Sequence, residues 1–258
     1  MEKFIQHITR KAGAMILKKF GKVGVHSTKS SVSDVVTEAD LEANHMLVGS
    51  IQKKYPHHGI VSEEENAYRP NAEYVWFVDP LDGSMNFATR VPLFGVMVGL
   101  AYRGRMELAA IFDPVHNELF FAQRGKGAYR NGRRIYCSSR KELSHSSGYA
   151  NVNFTFFVEE KIKLMKKLLA AVKKEPMRMS SFGSMAINAI YAADGRKDWL
   201  CSVGGKIWDF AAPSLILSEA GCKVTDMNGR PWAVKSSGHT LLAANPHLHK
   251  KLLKIVSK

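Results

Sequence analysis

Asp79-Pro80-Leu81-Asp82-Gly83-Ser84 decides how this chain reads. An apolar run, Tyr74-Val75-Trp76-Phe77-Val78, leads into it and predicts a buried strand that ends at Asp79. Pro80 lacks an amide donor and biases Asp79 toward an extended conformation. Gly83-Ser84 then opens a turn or helix whose free amides can face an anion. Hard cations such as Mg²⁺ take oxygen ligands from carboxylates and carbonyls. A strand end that presents two carboxylates and then unpaired amides suits a metal ion and a phosphate together.

Working outward, Gly59-Ile60-Val61-Ser62-Glu63-Glu64-Glu65 places acids just after another short apolar stretch. Downstream lie Lys206-Ile207-Trp208-Asp209-Phe210-Ala211-Ala212 and Ser218-Glu219-Ala220-Gly221, and near the N-terminus Asp34-Val35-Val36-Thr37-Glu38-Ala39-Asp40. With these elements the chain resembles the inositol monophosphatase family of Mg²⁺-dependent, lithium-sensitive phosphatases. That family carries Asp-x-Val-Thr-x-x-Asp, Gly-Glu-Glu, Asp-Pro-Ile/Leu-Asp-Gly-Thr/Ser and Trp-Asp-x-Ala-Ala…Glu-Ala-Gly in this order. Any one element alone is a weak signal; four in order over residues 34 to 221 are specific.

The resemblance implies an α/β fold, a layered α/β/α/β/α sandwich like that of inositol monophosphatases and fructose-1,6-bisphosphatases, assembled as a homodimer. It implies two or three Mg²⁺ ions, with Asp79 bridging, Glu63 and the Leu81 carbonyl completing one metal, and Asp82 and Asp209 the second. Asp40 and Ser84 fall where the family orients the attacking water, which makes Asp40, Glu63 and Ser84 the catalytic set. Asp82, Gly83, Ser84, Ser181, Ser202 and Asp209 fall at substrate-contacting positions, and Lys29 where the family has a loop lysine. The residues by themselves require only that three or four acids converge, and they leave open whether Glu63 or Glu64 is the ligand. Each also has a plainer reading. Asp82 could cap a helix opening at Gly83, Asp209 could cap the helix ending at Gly221, and Ser62–Glu65 and Thr37–Asp40 both fit capping boxes.

Departures from the family bear on the substrate. Ser84 keeps the hydroxyl of the more usual threonine. Ser202 stands where inositol-preferring members have a ring-binding glutamate, and Lys206 offers a cation to a second anionic group. Pro213 replaces a common glycine. The expected activity is Mg²⁺-dependent hydrolysis of a small polyol or sugar phosphate monoester by a metal-activated water. Alternatives within the family are fructose-1,6-bisphosphatase, 3′-phosphoadenosine 5′-phosphate phosphatase and histidinol-phosphate phosphatase. A reading of another class is an inactive member that binds RNA or acidic lipid through its basic surface.

Composition sets the frame. The chain has 258 residues, 45% apolar and 23% charged, ordinary for a globular protein. No apolar stretch approaches the roughly 20 residues of a membrane span, and the N-terminus lacks a signal-peptide core. Cys137, Cys201 and Cys222 are too few and scattered for a disulfide framework and read as free thiols in a reducing cytoplasm. The formal charge of +14 favours anionic partners. The basic residues are dispersed, however, with Lys161 to Lys174 reading as a solvated helix face. Small phosphorylated substrates are therefore expected, and nucleic acid and membrane are set aside as partners.

Periodicity predicts helices over 2–20, from Thr37 to before Pro56, and over 158–174, 184–193, 209–220 and 246–256. Leu41, His45, Leu47, Val48 and Ile51 should face inward on the second helix. Val158, Ile162, Met165, Leu168, Leu169 and Val172 should do so on the third. Strands are expected over 75–78, 94–102, 106–113, 118–123, 200–201, 223–225 and 240–243. Asn131-Gly132 marks a hairpin, and the Ser-rich stretch 29–36 is read as a hairpin or loop. A composition shift near residue 142 divides one compact unit into halves, 1–141 with most of the acids and 142–258 with Asp209 and the substrate loop.

Overall fold

The computed structural model describes residues 1–22, 25–28, 35–65, 67–150, 158–234 and 240–257. Helix α1 (Glu2–Lys19) buries Ile5, Ile8, Ala12 and Ile16 along one stripe. Strands β1 (Val25–Thr28) and β2 (Val35–Thr37) pair antiparallel, while residues 29–34 of the Ser-rich stretch lie outside the described residues. Lys29 and Asp34 lie outside the described residues. Helix α2 (Glu38–Lys54) starts at Thr37, as expected, but its inner face is different. Ala39, Asp40, Ala43, Asn44, Leu47, Val48 and Ile51 are buried, while His45 is exposed and Leu41 half-buried. Small alanines let this face approach α1 and the sheet, and its two polar residues go inside because both are hydrogen-bonded.

Seven strands follow in sequential order: β3 (Gly59–Ser62), β4 (Tyr74–Asp82), β5 (Gly95–Tyr102), β6 (Arg105–Asp113), β7 (Glu118–Gln123), β8 (Gly127–Arg130) and β9 (Arg133–Arg134). β3 runs parallel to β4 and the other neighbours are antiparallel. Arg103-Gly104 and Asn131-Gly132 both have positive φ, the backbone a tight two-residue hairpin needs. β4 does not end at Asp79 but continues through Asp82. Its register slips between the pairs Asp79–Met97 and Asp82–Gly95, and Pro80 sits at that slip, where a missing donor is tolerated. A short helix α3 (Ser84–Ala88) follows.

The second sheet has order β11-β10-β12-β14-β13, built from β10 (Ser147–Ala150), β11 (Arg178–Ser180), β12 (Trp199–Val203), β13 (Lys223–Thr225) and β14 (Thr240–Ala244). β10 and β11 escape sequence reading because they are short and carry Gly and Ser rather than an apolar alternation. Four helices complete the chain: α4 (Val158–Val172), α5 (Met185–Ala193), α6 (Ile207–Glu219) and α7 (Pro246–Val256). Alternating β4 and β5 side chains enter two cores. Trp76, Val78, Val96 and Val98 meet α1 and α2, whereas Phe77 and Met97 meet α5 and α6. The other face of α5 and α6 meets Leu200, Leu241 and Ala243 of the second sheet, whose far face packs on α4 and α7. The result is the expected α/β/α/β/α stack.

Two helices depart from their expected register. α4 buries Lys161, Leu164 and Leu168, while Val158, Ile162 and Leu169 are exposed. α6 begins at Ile207, which makes Asp209 its third residue rather than its cap; Gly221 (φ +95°) follows its C-cap as anticipated. No helix among the described residues is long and apolar enough to cross a membrane.

Candidate active site

The acids are brought together by strand pairing first. Ser62 lies opposite Val78 on parallel strands, and the Glu63 amide donates to the Val78 carbonyl at 3.1 Å, which sets Glu63 beside Asp79. No helix forms at 62–65, so the Ser62–Glu65 capping box is not realised. Instead Ser62 Oγ donates to Asn44 Oδ1 (2.5 Å), and Asn44 Nδ2 donates to Glu65 Oε1 (2.6 Å). Buried Asn44 thus moors the acidic turn to α2.

Asp82 does not cap α3, whose N-cap is Gly83 at φ +91°. Its Oδ2 accepts from the Ser184 hydroxyl and from the Ala186 amide (2.8 Å), both at the first turn of α5. A Cβ on Gly83 would lie 3.0 Å from the Leu93 carbonyl oxygen and 3.2 Å from Ser184 Cβ, so glycine serves both the backbone angle and the close approach. Asp209 Oδ2 accepts from the Lys206 amide at 2.6 Å, fixing the start of α6.

Asp79, Asp82 and Asp209 each offer a carboxylate oxygen, and these oxygens all lie within 4.8 Å of one another. Asp79 is 1% exposed, and its Oδ1 meets no hydrogen-bond donor among the described residues. Burial, then the charges of Glu63, Asp82 and Asp209, push the Asp79 carboxyl well above the usual range. Burial and the charges of Glu63 and Asp82 do the same to Asp209, against the Lys206 amide and ammonium. Asp82 is raised by burial and held back by Ser184 and the α5 amides. A buried carboxylate with an orphaned oxygen beside two half-buried ones is unfavourable alone and becomes favourable around a hard cation. The donor set is all oxygen, which fits Mg²⁺.

A second chain of contacts flanks this set. Asp40 Oδ2 accepts from the Thr37 amide (2.7 Å) and hydroxyl, completing the capping box of α2. Its Oδ1 accepts from Ser84 Oγ at 2.9 Å, which also lies 2.8 Å from the Leu81 carbonyl oxygen. Burial lifts Asp40 to about 6, against the bonds from Thr37 and Ser84. The capping and functional readings of Asp40 therefore coexist, one carboxylate oxygen serving each.

The remaining positions sort differently. Ser181 is half-buried in the turn after β11, and it is Ser184, three residues on, that reaches Asp82. The turn is tied to α3 by Asn86 Nδ2, which donates to the Phe182 carbonyl at 2.6 Å. Ser202 lies within β12 rather than on a loop, 1% exposed, on the strand face of Leu200 that looks toward α6. Lys206 is the exposed N-cap of α6. Glu219 is not at the acid cluster. Its carboxylate accepts from the Gly125 (2.8 Å) and Gly127 (2.7 Å) amides, clamping the far end of α6 to the β7–β8 turn.

Lys161 is the residue that sequence reading assigned wrongly. It is 2% exposed on the inner face of α4, and its charge lies within electrostatic reach of Asp209. Burial lowers its pKa and Asp209 opposes the shift. Helical spacing with Leu164 and Leu168 is a signal for it, but the larger apolar set at 158, 162, 165 and 169 satisfies the same period and masks it.

The family model for the inositol monophosphatase family matches residues 1–258. The "Nus factor SuhB" of Pasteurella multocida is 36% identical over 249 residues, covering 95% of this chain and 91% of the relative. That of Escherichia coli strain K12 is 33% identical over 252 residues with the same coverage. Among solved structures, the extragenic suppressor protein suhB of Bartonella henselae superposes with a TM-score of 0.90 at 29% identity, covering 99% of this chain and 98% of the other. An IMPase from Thermotoga maritima does so with a TM-score of 0.88 at 30% identity, covering 98% and 95%.

Proposed function

Since the chain belongs to the inositol monophosphatase family, we propose that it is a Mg²⁺-dependent phosphomonoesterase acting on a small polyol or sugar phosphate. The single observation that carries this is the convergence of carboxylate oxygens of Asp79, Asp82 and Asp209 to within 4.8 Å of one another, with Asp79 Oδ1 left without a donor among the described residues. In this reading Asp79 would be shared by two ions, Glu63 and the Leu81 carbonyl would help hold one, and Asp82 and Asp209 the other. Mg²⁺ held there would activate a water at neutral pH and compensate the charge on the phosphoryl oxygens.

The chain's own residues do the rest. Ser84 Oγ donates its proton to Asp40 or to the Leu81 carbonyl, which leaves its lone pairs to accept a hydrogen bond from the attacking water and orient it. Asp40, lifted to about 6, is placed to accept a proton at Oδ1 through Ser84. The Gly83 and Ser84 amides at the turn cradle the phosphate. Ser202, in place of an acid, weakens discrimination for neutral rings, while buried Lys161 and exposed Lys206 attract a second anionic group. A bisphosphate or acidic sugar phosphate should then rival inositol 1-phosphate. Phosphate release from a panel of esters, with Mg²⁺ and with EDTA, tests the reading; equal release in both would overturn it. A homodimer, implied by the resemblance, and a cytoplasmic location, read from the three free cysteines, are part of the same proposal.

A second reading rests on what the curated relatives are called. Dispersed basic residues argue against nucleic acid as a partner, but "Nus factor" in the names of those relatives weighs the other way, and a Nus-factor role for this chain is compatible with its charge of +14. It is separable from catalysis. An Asp79→Asn variant without phosphatase activity would still replace a relative's Nus-factor role in cells if the two functions are independent, and wild-type protein that fails to do so would exclude the second reading.

A further inference from the structure

Cys137 and Cys222 are distant in sequence and adjacent in the fold. Cys137 lies on the segment leaving β9, and Cys222 directly follows the Gly221 that ends α6. The Cys137 amide donates to the Ala220 carbonyl at 2.8 Å, so the two segments run side by side. A Cβ on Gly221 would touch Cys137 Sγ at 3.8 Å. Each thiol shifts the other's titration, Cys222 lowering Cys137 and Cys137 raising Cys222. Cys222 is 7% exposed within the central core, and Cys137 is half-buried at its edge. All three cysteines are free thiols, as read from the sequence, and two of them are neighbours in the fold. From this geometry we propose that Cys137 and Cys222 form a dithiol site that closes to a disulfide when it meets a peroxide.

The two members have different roles. Cys137 is the accessible one, and the hydrogen bond with Cys222 lowers its pKa. Cys222 is raised well above the ordinary thiol range by that same bond and by burial, which keeps it protonated until needed. The Cys137 thiolate attacks one peroxide oxygen, the O–O bond breaks, and the departing hydroxide leaves as water after taking a proton. Cys137 is then a sulfenic acid. Cys222 sulfur attacks Cys137 sulfur, the S–O bond breaks, and the hydroxide leaves as water with the Cys222 proton. In sum two thiols and one hydrogen peroxide give one disulfide and two waters. Cys201 is the internal control. It is fully buried in a different core, 3.9 Å from Met227 Sδ.

The test uses the full chain, reduced, desalted and exposed to hydrogen peroxide, followed by intact mass and peptide mapping. The wild-type mass should fall by about 2 Da, with the Cys137 and Cys222 peptides joined and dithiothreitol restoring both thiols. Cys201→Ser should behave as wild type, and Cys137→Ser and Cys222→Ser should each block the change. A gain of about 16 Da per oxygen at Cys137 with Cys222 still open to alkylation would overturn the proposal. Covalent dimers in place of the internal link would overturn it as well. The wild-type measurement decides the matter even if a serine variant folds poorly.

Discussion

Glu63, the residue after β3, stands abreast of Asp79 within the parallel strand β4, joined through the Glu63 amide and the Val78 carbonyl. The nearness of their carboxylates is one cause of the elevated Asp79 pKa. A parallel pair in the same sheet requires a crossover between its strands, and here residues 63–73 supply it. The acid turn is therefore placed by sheet register and by its mooring to Asn44, not by a helix of its own.

Hydrolysis should require Mg²⁺ and cease in chelator, because the proposed mechanism takes a metal-activated water as its nucleophile. Ca²⁺ should support little turnover, since its larger and looser coordination misplaces that water. Steady-state phosphate release after exhaustive EDTA dialysis, then with each ion added back, measures both. Undiminished activity in the dialysed enzyme would sink the metal mechanism.

Asp79→Asn should abolish turnover and, without metal, stabilise the fold. Removing one buried negative charge relieves its repulsion with Glu63, Asp82 and Asp209. Thermal melts should show a higher midpoint than wild type in EDTA and no further rise with Mg²⁺, on a scale of about 2–4 °C per kcal/mol for a chain of this size. Glu63→Gln should also be severe and Glu64→Gln mild. The reverse ranking would move the ligand by one residue.

Stability should depend on pH in opposite senses with and without metal. Asp40 sits at about 6 in the fold, above its ordinary 3.8, so the protonated form is favoured in the folded state. The stability it contributes is fully present below 3.8 and is lost as pH rises through about 6. The raised Asp79 and Asp209 act in the same direction. Metal-free protein should therefore gain stability as pH falls from 8 to about 5, whereas the increment from Mg²⁺ should shrink as protons displace it. Calorimetric melts across that range with EDTA or Mg²⁺ check the crossing trends. Parallel trends would contradict the site.

Lys161→Met should raise KM for a sugar bisphosphate, because one buried cation whose charge attracts the second anionic group is lost. For a neutral polyol phosphate KM should change less than about twofold. Equal loss for both substrates would assign Lys161 to the fold rather than to specificity.

Glu219→Gln should cost about 2 kcal/mol, because one of the two oxygens that accept from the Gly125 and Gly127 amides becomes an NH2 donor facing an N–H and the remaining acceptor loses its charge. The change should appear as a lower melting temperature, with KM nearly unchanged.

Much of this was legible in the chain. The strand before Asp79, the antiparallel run to Gln123, the Asn131-Gly132 hairpin and the last helix all have a clear period or turn chemistry, and they fold as read. What was illegible has physical causes. α4 has two apolar stripes, and only packing against Cys201 and Val203 selects the one containing Lys161. Asn44 and Ser184 are polar residues without motif spacing, whose value appears only when distant strands bring Glu65 and Asp82 to them. The helix start at Ile207 lacks a side-chain cap from Lys206, so Asp209 reads as the cap although it is the third residue.

The bond from the Ala186 amide to Asp82 has a spectroscopic consequence. A cation taken up by Asp82 would draw electron density from the very oxygen that this amide leans on, or from its twin. The Ala186 amide proton is thus a native indicator of occupancy, placed on a rigid helix and needing no label beyond ¹⁵N. Its resonance should travel with added Mg²⁺ along the same curve as the melting temperature, giving ion affinity in the absence of any substrate.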